Sequence, residues 1–284
     1  MGGIRLSKIY FVPTPIGNLK DITLRALETL KEVDIIACED TRHSLRLLNH
    51  YEIKKQLISY HQHNEGIKSD YILELLNEGK NIAVISDAGS PGISDPGSVI
   101  LKKCIENNME YEVLPGATAI ITALVSSGMD STSFIFKGFL PKDKGGRDGV
   151  LNEVKDRQET IIIYEAPHRL RTTLAAINEI FGNRTIAICR ELTKMHEEII
   201  RLSLEKAIEY YQNNDPRGEY VLVVEGKSEE ELKEEKSREW FDMDIEQHIK
   251  FYIDKGDTKK ISIKKVAEDR NMQKSEVYKH SYNI

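Results

Sequence analysis

The sequence is short of the residues and signals that would place it in several common classes. Its 284 residues include three cysteines and one tryptophan. Cys38, Cys104 and Cys189 are odd in number and widely scattered, which does not read as a disulfide frame, and no His/Cys spacing reads as a zinc site. Each stands in an apolar stretch and is expected to be a buried thiol of a reducing cytoplasm. No apolar run approaches the roughly 20 residues that cross a bilayer. Met1–Lys8 leads straight into a strand-like run without the apolar core of a secretory signal. An excess of positive charge is also missing. The net charge of −6 argues against a protein that coats nucleic acid, although it leaves room for a local basic face. There is no Gly-x-x-x-x-Gly-Lys-Ser/Thr, so a P-loop is excluded. After the first strand stands Pro13-Thr14-Pro15-Ile16-Gly17 in place of Gly-x-Gly-x-x-Gly, which disfavours an ordinary dinucleotide or Rossmann-methyltransferase site.

What is present is an alternation of short apolar runs and amphipathic segments over about 225 residues, in a composition 40% hydrophobic and 30% charged that suits a globular α/β protein. Expected strands are 8–12, 34–38, 57–59, 82–85 and 112–114, then 134–136, 161–164, 186–189, 199–201 and 220–224. A helix is expected from Thr23 to Glu32, capped by Asp21 or Thr23. Five strands in each half imply two packed α/β subdomains with a cleft between them. The expected division is 1–116, 117–227 and a C-terminal segment, 228–284, made of a charged helical linker (Ser228–Arg238) and a helix-turn-helix-like pattern over Ile261–Tyr278. That segment is polarised: Glu229–Asp254 has ten acidic and four basic residues, Lys255–Ile284 four acidic and eight basic.

Ser86–Gly97 is the most informative stretch. These twelve residues hold three Gly, two Pro, two Asp and three Ser directly after a strand. Glycines let backbone approach a ligand and prolines fix the turns. A plain connection needs only about two to six residues. Two more Pro/Gly loops, Pro13–Asn18 and Pro115–Ala119, also follow strands, and the carboxyl ends of strands are where α/β sheets bind small molecules.

The motifs resemble those of the tetrapyrrole-methylase superfamily. The matching stretches are Val12–Thr23, Cys38-Glu39-Asp40-Thr41-Arg42, Ser86–Gly97, Leu114–Ala119, Tyr164–Arg169 and Cys189–Lys194. Within the superfamily they are similar to the type that 2′-O-methylates a cytidine ribose in 16S ribosomal RNA. The resemblance implies S-adenosylmethionine bound between two α/β subdomains, no metal, a homodimer, and a ribosomal RNA substrate, with the small ribosomal subunit as partner. It implies a cofactor site from Pro13, Pro15, Asp87, Gly89, Ser90, Pro91, Thr118, Ala119, Tyr164, Glu165, Ala166, Arg190 and Gly218. Superfamily members commonly carry Gly-Asp-Pro in the central loop. Here the triplet is Gly89-Ser90-Pro91, so Asp87 or Asp95 is left to supply the charge.

A ribose hydroxyl attacking a sulfonium methyl needs positioning above all, for which orientation supplies up to roughly 7–11 kcal/mol. A general base adds about 10²–10⁴-fold. Asp40, His43, His168 and Glu191 are the candidate bases, and Asp40 with Arg42 is a candidate for orienting the ribose or its phosphate. Equally, the two histidines suit a helix surface and Glu39–Arg42 a helix start. For RNA phosphates the candidates are Lys142, Lys144 and Arg147 in a basic Gly-containing loop over 137–147, and Lys264 and Lys265 in the tail. Two rival readings share parts of this evidence. One is a methyltransferase acting on a tetrapyrrole precursor. The other is a non-enzymatic nucleic-acid binder, for which the three ligand-type loops have no purpose.

Overall fold

The computed structural model describes residues 7–232, 240 and 242–282. The chain forms two compact units, one through Glu225 and one from Gly226 onward.

The first unit contains two five-stranded sheets. Strands β1 (Lys8–Phe11), β2 (Ile35–Cys38), β3 (Gln56–Ser59), β4 (Ile82–Ile85) and β5 (Glu110–Val113) lie in the order β3-β2-β4-β1-β5, every pair parallel. β2 and β4 are buried along their whole length, which is why they read as unbroken apolar runs: helices cover both faces of a parallel sheet. The two-residue period of the pleat sorts their side chains. Ile35, Ala37 and Val84 enter one core cluster, and Ile36, Cys38, Ala83 and Ile85 the other. The covering helices are α1 (Leu24–Glu32), α2 (Thr41–His50), α3 (Glu65–Asn77) and α4 (Ser98–Glu106). Thr23 is the cap of α1, its hydroxyl accepting the Ala26 amide at 3.0 Å, while Asp21 ends a preceding 3-10 turn.

Helix α5 (Ala119–Ser127) leads into the second sheet, built from β6 (Phe134–Phe139), β7 (Thr160–Glu165), β8 (Thr185–Arg190), β9 (Glu198–Ser203) and β10 (Tyr220–Val224). Its order is β6-β7-β10-β8-β9, with β6–β7 parallel and the other pairs antiparallel. Helices α6 (Lys144–Val154), α7 (Leu170–Phe181) and α8 (Leu204–Asn213) complete it. β8 turns directly into β9 without a helix, and the mixed sheet follows from that hairpin.

The basic loop expected over 137–147 is shorter than its glycines suggested. β6 runs to Phe139, and α6 begins at Lys144 because the Asp143 carboxylate caps it, accepting the Gly146 amide at 2.7 Å. Lys142 and Lys144 are exposed there, but Arg147 is turned inward, buried and paired with Asp148 at 3.1 Å.

The second unit holds three helices, Ile245–Asp254, Lys259–Asp269 and Lys274–Lys279, around Ile249, Ile263, Val266, Ala267 and Val277. The Asp244–Gln247 capping box starts the first. His248 is fully buried, stacked on Trp240 at 4.5 Å. Burial and the neighbouring Arg270 push its imidazole down to about 4. Of the linker expected over Ser228–Arg238, residues 233–238 lie outside the described residues.

Candidate active site

The three Pro/Gly loops converge on one cavity of about 510 Å³. The first two are stitched together by an isolated bridge. Thr14 N–H donates to the Gly89 carbonyl at 2.9 Å, and Gly89 N–H returns a bond to the Thr14 carbonyl at 3.0 Å. The Thr14 hydroxyl reaches the Ser86 carbonyl at 3.0 Å and the Ser86 hydroxyl the Gly89 carbonyl at 2.9 Å. Gly89 sits at φ +83°, a conformation that L side chains rarely adopt. Pro13 and Pro15 are buried behind this wall and do not line the cavity. Pro13 presses on the third loop so closely that a Cβ at Gly116 would lie 2.4 Å from its ring.

On the side of the first sheet, Ala88, Gly89, Ser90, Ile93, Ser94 and Asp95 line the space, with Thr118 and Ala119 at the start of α5. The Ser90 hydroxyl is turned to the Ala117 carbonyl at 3.5 Å. Burial and the neighbouring Asp87 push the Asp95 carboxyl up to about 6. Pro91 and Asp87 stand outside the lining. Asp87 instead accepts the Asp40 amide at 3.2 Å. Asp40 is the cap of α2 and pairs with Arg42 at 3.2 Å. That bond holds the Asp40 carboxyl below its ordinary value. The pair therefore lies beside the Ser86–Gly97 loop, outside the cavity.

On the side of the second sheet, Tyr164 lies edge-on to Phe136 at 4.9 Å and tilted against Phe139 at 5.5 Å. Burial, helped by Asp95, raises the Tyr164 phenol to about 12. Phe139 is 57% exposed and Ile93 59% exposed although both line the space, so they form an apolar mouth. Glu165 has a fully buried side chain, but its carboxylate is committed. It accepts the Ala166 amide at 2.8 Å and the Thr173 hydroxyl, and it pairs with Arg169 at 3.3 Å. Arg169 in turn donates to the Leu140 and Pro141 carbonyls at 2.7 and 3.1 Å. Glu165 is thus a latch on the Ala166–Arg169 turn. That turn brings Ala166, Pro167 and His168 to the cavity.

Glu191 also lines the cavity and is also committed. It accepts the Glu219 amide at 2.8 Å and Lys194 at 3.0 Å. Burial works to raise its carboxyl, yet these two donors hold it below its ordinary value. Gly218 is bare because Glu191 lies across it: a Cβ there would be 2.5 Å from the Glu191 Cγ. The same reason explains Gly17, whose Cβ would meet the Lys194 side chain at 2.5 Å. Arg190 points away from the cavity, donating to the Arg217 carbonyl at 2.8 Å and pairing with Glu198 at 3.6 Å. Ile16, Cys189, Leu192 and Lys194 also line the space; they lie inside the motif stretches but are not among the expected site residues. Tyr220, at the start of β10, lies outside the motifs, where an apolar run signals only core.

In the second unit Lys264 is exposed and pairs with Glu268 at 3.6 Å, whereas Lys265 is held by Asp257 and lies over the Tyr252 ring. Among the described residues no group of three His, Cys, Asp or Glu side chains could hold a metal ion, and no helix is long and apolar enough to cross a membrane.

Two five-stranded sheets thus bracket one Pro/Gly-walled cavity. Residues 8–208 match the family of Tetrapyrrole (Corrin/Porphyrin) Methylases, and the chain belongs to that family. Within it, the chain is 50% identical to the Ribosomal RNA small subunit methyltransferase I of Bacillus subtilis (strain 168), over 97% of this chain and 94% of that relative. A Thermotoga maritima protein of the same name is 45% identical, and 78% of this chain covers 100% of it. Among solved structures, a diphthine synthase aligns with TM-score 0.63 at 13% identity, over 78% of this chain and 91% of that one. A uroporphyrin-III-C-methyltransferase from Thermus thermophilus aligns with TM-score 0.55 at 21% identity, over 77% of this chain and 94% of that one. At these identities the two structures speak for the fold.

Proposed function

We propose that this protein transfers a methyl group from S-adenosylmethionine to the 2′-hydroxyl of a cytidine in 16S ribosomal RNA. The observation that carries the reading is the cavity itself, seen beside near full-length relatives that bear the name of a small-subunit ribosomal RNA methyltransferase. Its volume lies within the range of small-molecule sites. The donor set fits this cofactor. Asp95 has no hydrogen-bond or ion-pair partner among the described residues and suits a cationic centre. The first amides of α5, where Thr118 makes no side-chain cap, suit a carboxylate. Phe139 and Tyr164 offer aromatic faces to a purine.

When bound, the cofactor supplies an electrophilic sulfonium methyl. The protein's part is to orient and to exclude water, through the apolar mouth at Ile93 and Phe139. Of the residues considered as bases, Glu191 is consumed by Lys194 and the Glu219 amide. His168 lines the cavity, is exposed and has no partner among the described residues, so it is placed to meet an acceptor hydroxyl. Asp40 and Arg42, tied to the cofactor loop through Asp87, suit the flanking ribose or phosphate. Lys142, Lys144 and Lys264 are exposed cations for the RNA backbone.

The protein acts in the cytoplasm on the small ribosomal subunit, and its parts divide at 1–116, 117–227 and 228–284. It works as a homodimer, supported by exposed Tyr111 and Val113 on edge strand β5 and by exposed Ile121 and Val125 on α5. The test is methyl transfer from tritiated S-adenosylmethionine. Small subunits lacking the modification, free 16S RNA and a precorrin are offered side by side, and labelled RNA is digested for mass spectrometry. Label on a cytidine ribose is the expected result. Label on the precorrin alone overturns the substrate.

A further inference from the structure

The cap of α2 and the first residue of α3 are bonded to the two ends of the Ser86–Gly97 loop. At its start, Asp87 accepts the amide of Asp40. At its finish, the amide of Gly97 donates to Oε1 of Glu65 at 2.9 Å. Glu65 comes from the first turn of α3, remote in sequence. The same oxygen accepts the Tyr60 hydroxyl at 3.2 Å, and Tyr60 is 1% exposed and bonded onward to Ser69 at 3.2 Å. The carboxylate is therefore held from the core.

What it holds is a junction with little support of its own. Gly97 sits at φ +143° and packs so tightly that a Cβ would lie 3.0 Å from the Gly92 nitrogen. It occupies the cap position of α4, where it has no side chain to bind the free amides. A carboxylate there is favoured by the helix dipole, and Glu65 supplies one from another element. Asp95 stands two residues earlier, separated only by Pro96, whose ring restricts the backbone. The carboxylates of Glu39, Asp87 and Asp95 crowd the same region: burial and these neighbours, Glu65 among them, push the Glu39 carboxyl up. The Glu65–Gly97 bond ties the end of the loop down within this group of like charges.

We propose that Glu65 is a positioning residue that pins the end of the cofactor loop through the Gly97 amide and so sets where the Asp95 carboxylate stands. The inference rests on the cavity being the S-adenosylmethionine site.

The test is calorimetric titration of S-adenosylmethionine into the full-length wild type, Glu65→Gln, Glu65→Ala, Asp95→Asn and the Glu65→Ala/Asp95→Asn double variant. Amide exchange of the ligand-free proteins is followed alongside. Glu65→Ala is expected to weaken binding about tenfold, the size of one charge-assisted hydrogen bond. Glu65→Gln keeps an acceptor for the amide and is expected to return to within about threefold. In the Asp95→Asn background Glu65→Ala is expected to cost less than about twofold, because the group it positions is gone. The Gly97 amide is expected to exchange faster in ligand-free Glu65→Ala. Should that variant not fold, Glu65→Asp, one methylene short, replaces it. Additive losses, or wild-type affinity in Glu65→Ala with the Gly97 amide deprotected, overturn the proposal. A wild type that binds no S-adenosylmethionine overturns the cofactor reading instead, and the exchange data still decide whether Glu65 pins the loop.

Discussion

The two sheets border one cavity with opposite chemistry. The side of the first sheet offers backbone, mostly small side chains, the exposed Ile93 and Asp95, a carboxylate left without a partner among the described residues. The side of the second sheet is richer in charge, yet its charges are spent on one another: Glu165 on Arg169, Thr173 and the Ala166 amide, and Glu191 on Lys194 and the Glu219 amide. The backbone follows the same division. The first side turns on glycines, Gly89, Gly92 and Gly97, whereas on the second Glu191 and Thr193 themselves adopt positive φ of +47° and +66°. Side chains that fold back on their own loop hold those two residues there, at a cost of order 1–3 kcal/mol each. Charge in a cavity wall thus has two uses, and hydrogen-bond saturation separates them. Saturated groups build the wall, and Asp95, the carboxylate left unsaturated, is the one proposed to meet the ligand.

The largest expected effect tests the wall. Glu165→Ala leaves the Arg169 guanidinium, itself mostly buried, without its counter-charge. Breaking one partner of a buried pair costs about 3–5 kcal/mol, and the two carbonyls that Arg169 keeps put the loss near about 3 kcal/mol. Urea unfolding should show that loss, while the folded fraction still binds cofactor with near wild-type affinity. Full stability with lost affinity would move Glu165 to the ligand's side and erase the contrast.

Asp95→Asn should act with the opposite sign. The carboxyl is pushed up to about 6 in the folded protein from an ordinary 3.8. Between those values the native state keeps a proton that the unfolded chain has released. Stability contributed by this group is therefore full below about pH 4, falls as pH rises through 6, and stays low above. At pH 7.5 Asp95→Asn is expected to be more stable than wild type by about 1–3 kcal/mol, with the gain absent at pH 4. Cofactor affinity should move the other way. In the wild type it should decline about tenfold per pH unit below 6, and in the variant it should be low and insensitive to that titration. A variant that is less stable at pH 7.5, or that binds as the wild type does, would make Asp95 part of the wall.

Much of this contrast could be read in the sequence, and the reason it stopped short is physical. The strands β2, β4, β7, β8 and β10 announced themselves as apolar runs between turn residues, whereas β5 is Glu-Tyr-Glu-Val and largely exposed, so that only its end over 112–114 was legible. The three loops stood out because Pro and Gly fix backbone geometry locally. Commitment of a side chain is a matter of geometry that residue order does not display. Glu165 and Glu191 stood out as motif residues, but which groups saturate them, the nearby Ala166, Arg169 and Thr173 for the one and Lys194 with the remote Glu219 for the other, is set by how the turns fold. Arg190 read as a cofactor-site residue and Arg147 as an RNA-phosphate contact, and they are turned instead to Arg217, Glu198 and Asp148. Conversely, Glu65 lies in no Pro/Gly loop and gave no signal, because its bond to Gly97 exists only once β3 and β4 lie in one sheet.

The smallest expected effect extends the contrast to the second unit. Its last thirty residues carry eight basic side chains, which as a bare sum suggests a strong hold on RNA. Saturation reduces that number. Lys265 is taken by Asp257, Lys264 is shared with Glu268, and Arg270 donates to His248 at 3.1 Å and to the Met243 carbonyl. Lys255 and Lys259 also have partners. Lys260, Lys274 and Lys279 are exposed and carry no ion pair among the described residues. If unpaired charge is what meets a ligand here as well, the triple replacement of these three lysines by alanine should lower the slope of log affinity against log salt by about 2–3 for the ribosomal subunit. Cofactor affinity should not change. Lys265→Ala, which removes one formal charge from a paired position where the triple variant removes three from unpaired ones, should leave the slope within measurement error. A slope that responds equally, charge for charge, to Lys265→Ala would mean that total charge, not its local pairing, governs this surface.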